Sequence, residues 1–223
     1  LRSCLRLGSG VRSAVLNAAA AFGLLAGAAL AEPLTLVALG DSLTQGYGLP
    51  QADGFVPQLE AWLRAKGADV TVVNAGVSGD TTAGGRARVD WTLTPDVDAL
   101  IVNLGGNDLL RGIDPAASRA NLDAILTAAG DRGLPVLLVA LRAPGNYGPA
   151  FKAAFDAIYP DLAAKHGTLL TENFFAPLTD QQSRLLSPDL MQPDGIHPSA
   201  AGVALIVDYI GPKVIELLAK AGP

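Results

Sequence analysis

The sequence predicts a single α/β domain, a parallel sheet with helices on both faces. Three observations predict it. Short β-rich apolar runs alternate with segments of helical period along roughly 190 residues, the pattern of strand–helix–strand units. The runs are nearly continuous in Val, Leu and Ile, as strands covered on both faces should be. No internal repeat, low-complexity tract or long linker interrupts the alternation. Right-handed crossovers then place helices above and below the sheet, giving a three-layer α/β/α sandwich.

The elements follow in order. Leu34 to Leu39 is the first apolar run. Phe55, Val56, Leu59, Trp62 and Leu63 then recur at helical spacing, and Gly67 falls where that helix should stop. Val70 to Val73 and Ala99 to Leu104 are the next two strands. Leu122, Ile125 and Leu126 mark a helix ending near Gly133, and Val136 to Leu141 is the fourth strand. Phe151, Phe155, Ile158 and Leu162 share one helical stripe that stops at Gly167, before the fifth strand, Thr168 to Leu170. Leu205, Ile206, Tyr209, Ile210, Val214, Leu217 and Leu218 form the closing helix.

Residues 1–31 stand apart. Arg2, Arg6 and Arg12 precede a run from Ala14 to Ala31 that is apolar except for Asn17 and ends Ala29-Leu30-Ala31. A basic start, an apolar centre and an Ala-x-Ala exit describe a secretory signal peptide. The expectation is cleavage before Glu32, a single domain over 32–223, and a periplasmic or secreted protein. A retained anchor and a buried core helix are the alternatives, although the run barely reaches spanning length. Cys4, the one cysteine of the chain, lies in this leader. The remainder has no disulfide and no thiol nucleophile.

Composition excludes several functions. The chain has 223 residues, is 50% hydrophobic, and carries a net charge of −5 without any basic run, so nucleic-acid binding is not expected. There are two histidines, His166 and His197. A metal reading would have to use Asp41, Asp80, Asn107, Asp108 and His197, with fewer imidazoles than hydrolytic two-metal sites use. Neither a dinucleotide-binding G-x-G-x-x-G nor a phosphate loop is present, so nucleotide binding lacks its usual cradle and no nucleotide cofactor is expected. A G-x-S-x-G elbow is also missing.

Ligands of open parallel sheets bind beyond the carboxyl ends of the strands. Polar residues and glycines gather there. The first strand ends in Gly40-Asp41-Ser42-Leu43, the second runs into Ser78-Gly79-Asp80, and the third into Gly106-Asn107-Asp108. Near the C-terminus stands Asp194-Gly195-Ile196-His197-Pro198. An Asp three residues before a His can hold Nδ1–H and leave Nε2 as a base, although the pair alone also reads as a turn Asp and a surface His. Ser42 is placed as an exposed nucleophile or as a helix N-cap, and the two are compatible. Gly79 can offer a backbone N–H and Asn107 a side-chain amide, or both can be turn residues.

Together the four segments resemble the GDSL, or SGNH, family of serine hydrolases, whose blocks occur here in the family's order. Arg111-Gly112, Pro144-Gly145-Asn146-Tyr147-Gly148, Ala157-Ile158-Tyr159-Pro160 and Met191-Gln192 further resemble the branch of bacterial periplasmic esterases described as acyl-CoA thioesterase I, lysophospholipase and arylesterase. The likeness runs from about Leu34 to the final helix. It implies a five-stranded parallel sheet in flavodoxin-like order, no metal, and a small-molecule acyl ester or thioester as substrate. It further implies Ser42 as nucleophile, His197 as base, Asp194 as its orienting carboxylate, and an oxyanion hole of the Ser42 and Gly79 N–H groups with the Asn107 amide.

By position, Leu109, Leu110, Pro144, Asn146 and Tyr147 should rim the acyl site. The segment Tyr47 to Gly54 is long for the family and is expected to reshape the acyl entrance. His166 matches no family position and is expected at the surface, at a helix C-terminus. No protein partner is implied, and no stable membrane insertion once the leader is removed. The acidic remainder favours neutral or zwitterionic esters over polyanionic thiols. A carbohydrate O-deacetylase of the same family and a catalytically silent binding module are the alternatives.

Overall fold

A computed structural model describes Leu1 and residues 32–180, 182 and 184–222. The expected leader, beyond Leu1, lies outside the described residues. From Glu32 onward the chain forms one compact unit. Its strands are β1 (Leu34–Gly40), β2 (Val70–Gly76), β3 (Ala99–Asn103), β4 (Val136–Val139) and β5 (Leu169–Thr171). All pairs are parallel and the order is β2-β1-β3-β4-β5. This is the flavodoxin-like order. The chain reverses its winding between β1 and β3, and the crevice that opens there is where such sheets bind ligands.

The helices are α1 (Ser42–Gln45), α2 (Phe55–Ala65), α3 (Thr82–Thr92), α4 (Gly106–Leu110), α5 (Pro115–Gly130), α6 (Pro149–Asp156), α7 (Ile158–His166) and α8 (Ala200–Ala221). α2 packs on α8, while α3 packs on α5 and α5 on α7, which makes the two outer layers. Leu36, Leu39, Leu100, Ile101, Leu137 and Leu138 lie fully buried between them. Burying such side chains is worth about 1.5–3 kcal/mol each, and this central block holds the strand ends in place.

Two expectations need correction, and one helix escaped the sequence pattern. The second strand is not covered on both faces. β2 is an edge strand, and Val73 is 41% exposed while Val70 and Val72 point inward. The stripe from Phe151 to Leu162 is two helices, broken at Ala157. Pro160 has no N–H to donate to Asp156, so a continuous helix would lose that bond; in α7 it falls in the first turn, where no partner is needed. α3 is also a full helix that apolar periodicity did not reveal. Two of its eleven residues are Gly84 and Gly85, and a Cβ at Gly85 would collide with Leu104. The close approach of α3 to Leu104, just past β3, explains a glycine rather than an apolar residue there.

Candidate active site

The site starts where β1 turns into α1. A Cβ on Gly40 would strike the Thr44 side chain, and one on Gly76 would strike the backbone of Gln45. Two glycines, paired across β1 and β2, therefore let the short helix fold back over the strand ends. The helix cap is Asp41, whose carboxylate accepts the Leu43 N–H at 3.0 Å. This corrects the expectation of Ser42 as N-cap. Ser42 is the first helical residue, and its hydroxyl faces elsewhere.

The Ser42 Oγ lies 2.9 Å from His197 Nε2. His197 Nδ1 lies 2.6 Å from Asp194 Oδ2. The other Asp194 oxygen accepts the N–H groups of Ile196 (2.9 Å) and His197 (3.0 Å), so the carboxylate closes its own turn. Gly195 sits within that turn at φ +67°. The His197 hydrogen bond, helped by the two backbone N–H groups, holds the Asp194 carboxyl down at about 2. An ionised Asp194 fixes Nδ1 as the protonated nitrogen and leaves Nε2 to accept from Ser42.

Asn107 stands on α4, just past β3. Gly105 precedes that helix at φ +122°, and a Cβ there would collide with the Tyr159 hydroxyl, which donates to the Leu104 carbonyl at 2.9 Å. The Asn107 amide Nδ2 donates to Asp41 Oδ2 at 3.4 Å. Asp41 is almost wholly buried, and burial pushes its carboxyl up from 3.8 to about 6 against the pull of Leu43 N–H, Asn107 and His197. Asp108 is fully buried and accepts from Thr82 N–H (2.8 Å), Thr82 Oγ1 (2.6 Å) and Ser118 Oγ (2.8 Å), tying α4 to α3 and α5.

Gly79 occupies the loop after β2 at φ +86° and is exposed. Arg111, at the end of α4, donates to the Gly79 carbonyl at 2.8 Å. Arg88 reaches both Asp80 (2.7 Å) and the Gly40 carbonyl (2.8 Å). The two arginines bind the Gly79 loop to the ends of β1 and α4.

Beside Ser42 opens a cavity of about 560 Å³, bordered by Asp41, Ser42 and Asn107. Leu109, Leu110, Pro144, Asn146 and Tyr147 all line it. So do Leu141, Arg142, Phe175, Leu178, Leu185, Met191 and Ile196, which sequence reasoning did not single out for this wall. Most of those come from the segment between β5 and α8, which has no period to read. The Tyr47–Gly54 segment is absent from this wall. Tyr47 and Leu49 instead border a small cleft on the other side, with His197 and Gln192. His166 ends α7 as expected but is half-buried, with Nε2 2.6 Å from Asp123 Oδ1. Among the described residues no group of three or more His, Cys, Asp or Glu side chains is placed to hold a metal.

Residues 38–205 match the GDSL-like Lipase/Acylhydrolase family, a span that includes all four blocks and the Ser42–His197–Asp194 chain. The chain belongs to this family. It is similar to Esterase TesA of Pseudomonas aeruginosa, with 38% identity over 93% of this chain and 100% of the relative. It is also similar to Thioesterase 1/protease 1/lysophospholipase L1 of Escherichia coli K12, with 35% identity over 82% and 85% of the two chains. Among solved structures, AlinE4, an SGNH-hydrolase family esterase, superposes with a TM-score of 0.69 at 43% identity, covering 84% of this chain and 97% of the other. The protein is thus a GDSL-family hydrolase with the family's α/β fold.

Proposed function

We propose that this GDSL hydrolase cleaves carboxylic esters and thioesters through an acyl-enzyme on Ser42. The observation that carries the reading is the unbroken hydrogen-bond chain Ser42 Oγ–His197 Nε2 and His197 Nδ1–Asp194, at the mouth of an apolar cavity. His197 removes the hydroxyl proton as Oγ attacks the carbonyl carbon. The oxyanion is held by the N–H groups of Ser42 and Gly79 and by the Asn107 amide. Protonated His197 then gives its proton to the departing alcohol or thiol. Water, deprotonated by the same imidazole, releases the acid and restores Ser42.

The relatives' names, esterase and thioesterase 1/lysophospholipase L1, support this substrate class. The cavity favours acyl chains longer than acetyl, because its leucine-rich wall gains nothing from a two-carbon group. That weighs against a deacetylase. Neutral and zwitterionic esters suit the acidic chain. The leader composition supports export, with Glu32 as the expected N-terminus of exported protein, which N-terminal sequencing tests.

Hydrolysis of p-nitrophenyl esters from acetyl to dodecanoyl, with Ser42→Ala alongside, tests the reaction. A chain-length optimum beyond acetyl that disappears in the variant supports the reading. Equal rates in both proteins overturn it.

A further inference from the structure

Two features of the sequence have no part in the reaction above: the long segment after the first block, beginning Tyr47-Gly48, and Met191-Gln192 ahead of the Asp194 turn. The fold brings them together against His197. The Tyr47 ring lies over the imidazole, with centroids 4.8 Å apart and planes tilted by 38°. Gln192 Nε2 donates to the Tyr47 carbonyl at 2.8 Å and to the Pro198 carbonyl at 3.0 Å. The Gln192 backbone N–H donates to the His197 carbonyl at 2.8 Å. One residue therefore holds His197, its C-terminal neighbour and the loop that carries its aromatic cover. Two carbonyls facing one amide nitrogen also fix which way that amide points.

Gly48 makes room for the clasp. It stands at φ +76°, and a Cβ there would collide with Gln192 Oε1. On this flank the imidazole borders a cleft of only about 10 Å³, shared with Ser42, Tyr47, Leu49 and Gln192.

Resting on the proposed acyl-transfer mechanism, we infer that Tyr47 and Gln192 are positioning residues for His197: Gln192 clasps the Tyr47 loop to the His197 turn, and the Tyr47 ring holds the imidazole in line with Ser42. The aromatic face also attracts the imidazolium that forms at each transition state, an interaction a neutral aliphatic side chain does not provide. His197 serves acylation and deacylation, so its misplacement slows turnover rather than binding. A displacement of about 1 Å in such a group costs up to about 10²-fold.

The test compares Tyr47→Leu, Tyr47→Phe and Gln192→Ala with the parent and Ser42→Ala, using a p-nitrophenyl ester of medium chain length. Tyr47→Leu and Gln192→Ala are expected to lower kcat about tenfold or more with KM within about twofold, and Tyr47→Phe to regain most of the loss. Proton NMR supplies an independent readout. The Nδ1–H that His197 shares with Asp194 gives a downfield resonance, assigned by its disappearance in His197→Ala. It should broaden in Tyr47→Leu and Gln192→Ala while the rest of the spectrum stays dispersed, and persist in Tyr47→Phe.

Unchanged kcat in Tyr47→Leu, a rise in KM alone, or a loss that Phe does not regain overturns the inference. Collapse of the whole spectrum in both Tyr47→Leu and Gln192→Ala also overturns it, since the clasp would then serve the fold. If Ser42→Ala is as active as the parent, the acyl-enzyme reading has failed. If Ser42→Ala is inactive while Tyr47→Leu is normal, only the clasp has failed.

Discussion

Asp41 and Asn107 meet beneath Ser42: one carboxylate oxygen accepts the Asn107 amide at 3.4 Å while the other caps α1 through Leu43 N–H. The residue that starts the Ser42 helix also aims the Asn107 amide, the side chain proposed to meet the oxyanion. Gly106 permits the approach, since a Cβ there would stand 3.1 Å from the same oxygen.

Asp41→Asn is expected to exchange activity for stability. Burial raises the Asp41 carboxyl from 3.8 to about 6, so the folded state binds the proton more tightly than the unfolded chain. Its contribution to stability is full below about pH 3.8 and is lost as pH rises through about 6. The neutral amide avoids that loss, so the variant should be more stable by about 1–2 kcal/mol at pH 8 and show no gain near pH 3.5. An amide nitrogen facing Asn107 also turns that side chain around, and kcat should fall. Urea melts at the two pH values measure the first effect. A stability difference that does not change with pH would contradict it.

Asn107→Ala removes one proposed oxyanion donor and leaves the Ser42–His197–Asp194 chain in place. Its kcat should drop about 10²–10³-fold, the usual cost of one such donor. The variant should still be labelled at Ser42 by a fluorophosphonate, more slowly than the parent. A loss of less than tenfold would remove Asn107 from the oxyanion site.

Leu185 lines the cavity yet is 42% exposed, so a larger side chain can be placed there without opening the core. Leu185→Trp should lower the ratio of octanoyl to acetyl ester turnover severalfold by filling the cavity. An unchanged ratio would show that acyl chains run elsewhere.

Asp108→Ala leaves Thr82 N–H, Thr82 Oγ1 and Ser118 Oγ buried without their acceptor. Each stranded donor costs about 1–3 kcal/mol, so the total should be about 3 kcal/mol or more, or roughly 6–12 °C in Tm for a domain of this size. Calorimetry measures it. A Tm within two degrees of the parent would mean the network adds little.

The strands, the sheet class and the four blocks are legible along the chain, because apolar runs and strand-end motifs are local patterns. Asp194 and His197 were legible for the same reason: three residues and one turn bring them together. The pairing of His197 with Ser42, 155 residues away, was readable only through family resemblance. The remaining features arise only when distant segments meet. Asp41 rather than Ser42 caps α1 through the Leu43 N–H, while the Ser42 hydroxyl meets an imidazole from the far end of the chain. The Tyr47 loop covers His197 instead of the acyl cavity because Gln192, 145 residues later, holds its backbone. The stripe from Phe151 breaks where Pro160 would leave a carbonyl unpaired. The cavity wall comes largely from an aperiodic segment. These outcomes depend on which distant groups satisfy each other's hydrogen bonds and fill each other's volume, and neither periodicity nor spacing along the chain encodes that.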